Sequence, residues 1–248
     1  MTSSPSSAGS RGSLANAVDI VIAPNAAFDR INTVPRWFWP FVVAAVFSIA
    51  GSLLILPAIQ HSMDTTMPQQ LMANPAFAKL PPDKQSAQIA KSVAIAKTIT
   101  SFTWILVPIV LLIVGLLQGL VLTLFNAIGK GQGTFAKFFA LSITVSVIGS
   151  GIYYLVVAAI VLLRGPASFD TQLSITGSIP NLALLAPGAH GFLLGFLTGL
   201  NVFFLWCGAL LAFGAMRIGK IAPAPAWTAA AIIVVCTAAF VGFGSMNS

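Results

Sequence analysis

Glutamate is missing from this chain altogether, and the five acidic residues are all aspartate: Asp19, Asp29, Asp64, Asp83 and Asp170. Five carboxylates scattered in this way assemble neither the paired acids of a glycosidase nor a nucleophile with its base. Charge of either sign is scarce, at 7% of residues against about 25% in soluble domains. A chain this poor in charge and 57% hydrophobic cannot cover itself with a water-facing surface, which excludes an ordinary soluble domain. The net charge of +7 does not point to nucleic acid, because the twelve cations stand singly, without a basic run, aromatic platform or zinc-finger spacing. Two cysteines, Cys207 and Cys236, make neither a disulfide framework nor a metal set. His61 and His190 have no Cys, Glu or second His near them in sequence, so no metal or cofactor is expected.

Long apolar runs are what the chain does have. Two of them, 102–125 and 138–163, are joined by the short link 126–137, and this hairpin organises the rest. The first is about 24 residues, or roughly 36 Å as a helix, enough to cross a hydrocarbon core of about 30 Å. The glycines of the link break the helix, and Lys130 and Lys137 favour the face that retains cations. Further spans are predicted at 38–59, 192–213 and 226–243. The expected fold class is an all-α integral membrane protein, a bundle of five transmembrane helices.

Residues 1–15 are mostly Ser, Gly, Pro and Ala and read as a flexible tail ahead of a membrane domain, 16–244. The first strongly apolar run begins about 36 residues in and is long enough to span, unlike a secretory signal. Pro24, Phe28 and Ile31 suit a short amphipathic helix, lying either at the membrane interface or on the protein's own inner surface. Arg36, Trp37 and Trp39 mark an interface, because indole rings prefer the headgroup level, and Phe28 joins them as a candidate interfacial residue. The segment 60–97 is polar, with Met-Pro, Asn-Pro and Leu-Pro-Pro breaks. After Asp83 a helix is expected, with Lys84, Gln88 and Lys91 on one face, running unbroken into the second span. That face suits anionic lipid or a partner, or is simply solvated. The apolar segment 181–185 is too short to span.

Small and polar residues recur inside the spans. Gly115 and Gly119 form a small-xxx-small pair beside Gln118, whose amide needs a partner in hydrocarbon. The third span carries Ser142, Thr144, Ser146, Gly149, Ser150 and Gly151, a surface suited to close packing or, alternatively, to a polar permeation path. Gly195 and Gly199, with Gly191 ahead, form a glycine stripe before Asn201. With the N-terminus inside, seven cations gather on the inner face (Arg11, Arg30, Arg36, Lys130, Lys137, Arg217 and Lys220) and five outside (Lys79, Lys84, Lys91, Lys97 and Arg164). The expected topology is N-in, C-out.

Three stretches together resemble the bacterial form of the Yip1-domain family. They are Pro24-Asn-Ala-Ala-Phe28-Asp-Arg-Ile31 with Pro35-Arg-Trp-Phe-Trp-Pro40, then Gly131-Gln-Gly133-Thr-Phe135-Ala-Lys137, then Leu200-Asn201-Val-Phe203-Phe-Leu-Trp206. Asn201 stands where the family pattern often carries Asp, and the Asp-Leu-Tyr-Gly-Pro signature of eukaryotic relatives is absent. The resemblance implies five transmembrane helices, a cytoplasmic N-terminus, a bacterial inner-membrane location and no enzymatic activity.

Gly129-Lys-Gly-Gln-Gly-Thr imitates a phosphate cradle, but its Lys lies between glycines in a hairpin link, so nucleotide binding is not expected. The expected function is that of a non-catalytic membrane scaffold or organising protein. Its expected partners are the lipid bilayer and a second copy or other membrane proteins. The alternative is a small permease or channel that uses Gln118, the hydroxyl-rich third span and Asn201.

Overall fold

The structure, a computed structural model, describes residues 6–246, with side chains from residue 12 onward. Its helices are α1 (Ser6–Ile22), α2 (Pro24–Thr33), α3 (Phe38–Met72), α4 (Pro75–Ala78), α5 (Pro82–Ser101), α6 (Val107–Ile128), α7 (Phe135–Ser146), α8 (Tyr153–Arg164), α9 (Gln172–Thr176), α10 (Gly191–Gly199), α11 (Val202–Gly219) and α12 (Pro223–Gly244). A π-helical turn, Val147–Ile152, links α7 to α8, and a 3-10 turn, Thr103–Leu106, precedes α6. Among the described residues the only β pairing is one antiparallel bridge, Asn181 with Asn201.

Five helical stretches are long and apolar enough to cross a membrane: Phe38–Met72, Thr103–Ile128, Phe135–Arg164, Val202–Gly219 and Pro223–Gly244. The fold is that of an all-α integral membrane protein. Contacts divide the chain into two units. Unit 1 comprises Met1–Ile49, Val107–Tyr154 and Val202–Thr237; unit 2 comprises Ala50–Leu106, Leu155–Asn201 and Ala238–Ser248.

Unit 1 holds the core. Leu122, Phe138, Leu141, Ile148, Leu211 and Ile218 are all buried, and α7 is covered by both α6 and α11. Lipid tails are as apolar as leucine, so this association rests on close packing rather than on escape from water, and small residues admit it. A Cβ on Gly115 would collide with Ile143, and one on Gly119 would meet the Phe139 backbone at 3.2 Å. The outward face of α6, with Ile113, Leu117, Leu120 and Leu124 exposed, is left for lipid.

Expectations are corrected in four places. First, helix α1 covers residues 6–15 of the stretch read as a tail, whose remainder, 1–5, lies outside the described residues. The helix holds because Ser13, Asn16, Ala17 and Ile20 form one buried face. Second, Phe28 is not interfacial. It is 1% exposed, with Ala27 and Ile31 beside it, and the missing side chain of Gly214 on α11 makes room for its ring. Burying such side chains contributes about 1.5–3 kcal/mol each, which favours packing α2 on the protein over laying it on lipid.

Third, the first span does not end near residue 59. Helix α3 runs on through Pro57 and Pro68 to Met72, 35 residues or roughly 52 Å. In unit 2 its extension is tied to α5 by Gln60 to Ser101 (3.1 Å), Lys97 to Asp64 (2.6 Å) and Thr100 to Met63 (3.8 Å). Helix α5 does not run unbroken into α6, since it ends at Ser101 and the 3-10 turn intervenes. Fourth, the fourth span is not 192–213. The chain leaves helical geometry at Leu200, whose carbonyl accepts from the Leu182 N–H at 3.2 Å, so α10 and α11 are separate and only Val202–Gly219 is of membrane length.

Candidate functional site

Several polar side chains of the spans in unit 1 line one cavity of about 210 Å³. Gln118 comes from α6, Ser146 from α7, Gly149 and Ser150 from the π turn, and Tyr153 and Tyr154 from α8. Cys207 and Gly208 on α11 and Thr237 on α12 complete its polar and small lining. Each lies near the middle of its span, and no charged residue is among the lining residues. The π turn is what aims them: it inserts an extra residue into the ladder, a distortion common at functional sites, and places Gly149 where a Cβ would crowd Cys207 Sγ at 2.9 Å.

The hydroxyls of this region divide into two sets. Ser142, Thr144 and Ser146 donate to the carbonyls of Phe138, Ala140 and Ser142 on their own helix, at 2.9, 2.7 and 3.0 Å. Thr237 likewise donates to Ile233 at 2.8 Å. These groups are satisfied without a partner helix, so their surface serves packing. Tyr153 is different. Its side chain is 6% exposed, its ring packs against Phe204 (5.4 Å, stacked) and Tyr154 (5.4 Å, edge-on), and among the described residues nothing bonds its hydroxyl. Gln118 and Ser150 are equally without a hydrogen-bond partner among the described residues.

A second polar assembly lies where the charged ends of α1, α2 and α11 meet in unit 1. Arg217 reaches Asp29 with Nε on Oδ1 at 2.6 Å and Nη2 on Oδ2 at 2.8 Å, the bidentate fork that suits a carboxylate. The Arg217 hydrogen bond holds the Asp29 carboxyl below its ordinary value. Arg30 pairs with Asp19 and donates to Asn16 at 2.8 Å, and Lys137 donates to Asn32 at 2.8 Å. The glycine-rich link 129–134 is no phosphate cradle. Asn126, 5% exposed, donates from Nδ2 to the Gly133 carbonyl (3.1 Å) and accepts the Gly133 N–H on Oδ1 (3.2 Å). The Gln132 N–H is taken by the Gly219 carbonyl at 2.7 Å.

The remaining singled-out residues are placed as follows. Trp37 is half-buried, its ring 5.4 Å from Phe139, while Arg36 and Trp39 are exposed. In unit 2, a Cβ on Gly195 would collide with Ser245 and one on Gly199 would lie 2.7 Å from Ala238 Cα, so the glycine stripe receives the end of α12. Asn201, 2% exposed, also belongs to unit 2, bridged to Asn181. The structure thus brings Gln118, Ser146 and Ser150 together, and assigns Asn201 to different surroundings. Sequence reasoning missed Asn126, Asp29, Cys207 and Thr237. Of these only Asn126, a lone amide directly before a glycine-rich link, carried a readable signal. Among the described residues no cluster of His, Cys or Asp is arranged to hold a metal ion.

The chain is 27% identical over 232 residues to "Membrane protein YknW" of Bacillus subtilis (strain 168), covering 92% of this chain and 90% of that one. No family profile matches the sequence. No solved structure matches it either.

Proposed function

We propose that the chain is a Yip1-type, non-catalytic membrane protein that organises or recruits other proteins at a bacterial inner membrane, N-terminus inside. One observation carries this reading: α5, twenty residues long, buries none of them. A helix that carries Ile89, Val93, Ile95 and Ile99 yet buries no residue on its own chain, with Ile95 and Ile99 exposed, suits docking to something else. Its exposed Lys84, Gln88 and Lys91 supply the contact face. The likeness to a membrane protein over nearly the full length of both chains is in keeping with the reading.

Charge supports the proposed orientation. All seven cations expected inside belong to unit 1, and all five expected outside belong to unit 2. A reporter fused after residue 248 is expected to be active only outside the cytoplasm; cytoplasmic activity alone would reverse the assignment. The recruiting role is tested with photo-reactive residues at Gln88 and, as a lipid-facing control, Leu117, in native membranes. A defined partner is expected at Gln88 and not at Leu117, its co-purification lost when Lys84, Gln88 and Lys91 are all changed to Ser. Identical crosslinks at both sites would sink the proposal. A second reading, a small permease, is favoured by the meeting of Gln118, Ser146 and Ser150 at one cavity. Its test is solute flux in proteoliposomes that disappears in Gln118→Leu.

A further inference from the structure

We propose that the mid-span cavity of unit 1 binds a neutral, membrane-dissolved molecule with a flat carbonyl-bearing ring, the chemistry of a quinone head on a hydrocarbon tail. This inference does not rest on the recruiting role, because it concerns a different part of the chain. Four features select the ligand. The lining holds no Asp, Lys, Arg or His, and a charged ligand placed among apolar walls at the middle of a span would have no counter-ion. The cavity, about 210 Å³, exceeds the roughly 150 Å³ in which an apolar cavity holds benzene, so a substituted ring fits.

Tyr153, Tyr154 and Phe204 gather as one aromatic side, suited to the face or edge of a flat π system. Three groups there, the Tyr153 and Ser150 hydroxyls and the Gln118 amide, have no partner among the described residues and each can donate to a ligand carbonyl. Tyr153 as a residue is nine-tenths buried, and a ring carbonyl in the cavity would give its hydroxyl a partner. Two lining residues, Val114 and Tyr154, are 38% and 37% exposed. They mark the rim, through which a tail leaves toward lipid. Gly208 admits the close approach of Val234 that forms this wall, since a Cβ there would lie 2.6 Å from Val234 Cγ2.

The test is native mass spectrometry of the purified full-length protein titrated with menaquinone-4. Geranylgeraniol, the same tail without the ring, serves as control. Saturable one-to-one binding of menaquinone-4 is expected, at least about tenfold tighter than geranylgeraniol. Tyr153→Phe, which removes only the hydroxyl, is expected to weaken it about three- to tenfold, as one lost hydrogen bond does. Val114→Trp, which blocks the rim from an exposed position, is expected to weaken it about tenfold without lowering the melting temperature. Equal binding of the two molecules would show a tail site only and overturn the proposal. So would absence of saturable binding, or affinity unchanged in Tyr153→Phe.

Discussion

Asn126→Ala is the perturbation whose consequence follows most directly from the structure. The side chain is 5% exposed and makes two hydrogen bonds, both to the backbone of Gly133 across the α6–α7 link. Truncation strands the half-buried N–H and carbonyl of Gly133, each costing up to about 1–3 kcal/mol, and water and local relaxation recover part of that. A net loss of about 1–3 kcal/mol is expected, or roughly 2–12 °C in melting temperature for a chain of this size. Asn126→Asp supplies an internal control. It keeps the acceptor for the Gly133 N–H but faces the Gly133 carbonyl with a carboxylate. The Asp variant should therefore be at least as unstable as the Ala variant at neutral pH, and should recover in acid as the carboxyl gains a proton to donate. The assay is reversible unfolding in mixed detergent and sodium dodecyl sulfate micelles, followed by helical circular dichroism. A change below about 0.5 kcal/mol for Asn126→Ala would refute the reasoning, since it would mean that the two bonds to Gly133 contribute nothing.

Other consequences follow from the same contacts. Gly199→Leu should cost about 1–3 kcal/mol by overpacking against the Ala238 backbone, whereas Gly188→Ala, with open space around it, should change little in the same assay. The Asp29–Arg217 fork contributes stability that is present above the ordinary carboxylate value and lost as pH falls through the lowered one. The stability difference between wild type and Asp29→Asn should accordingly be seen at neutral pH, shrink with added salt and vanish in strong acid; a difference unchanged in strong acid would contradict this. Ser142→Ala should stay within about 1 kcal/mol of wild type, because the hydroxyl serves only its own helix. A larger loss would mean that it bonds across helices.

The five apolar runs were legible because twenty or so residues without charge leave a chain few alternatives. The ends of the runs were not. Pro68 read as a break, yet α3 continues through it, as through Pro57, since its extension is held by α5 through Gln60, Asp64 and Met63, contacts to residues far along the chain. The glycine stripe 191–199 and the run 202–213 read as one span because hydropathy does not register the bridge that stops the helix at Leu200. Gln118 and Ser150 stood out as polar residues in apolar surroundings. That they share a cavity, and that Asn201 belongs to the other unit, depends on which helix faces cross.

Composition and run length by themselves determined the class of this protein: helical and membrane-embedded. In hydrocarbon a backbone has to satisfy its own hydrogen bonds, so a long apolar run has one local answer. Tertiary structure alone decided which small residues admit which neighbours and which hydroxyls bond their own helix. It decided, too, that Phe28 is core and that the Tyr153 hydroxyl is left without a partner among the described residues. These matters turn on approaches of an ångström or two between segments up to 190 residues apart, as Asp29 and Arg217 are nearly so at 188, and no local pattern of residues encodes them.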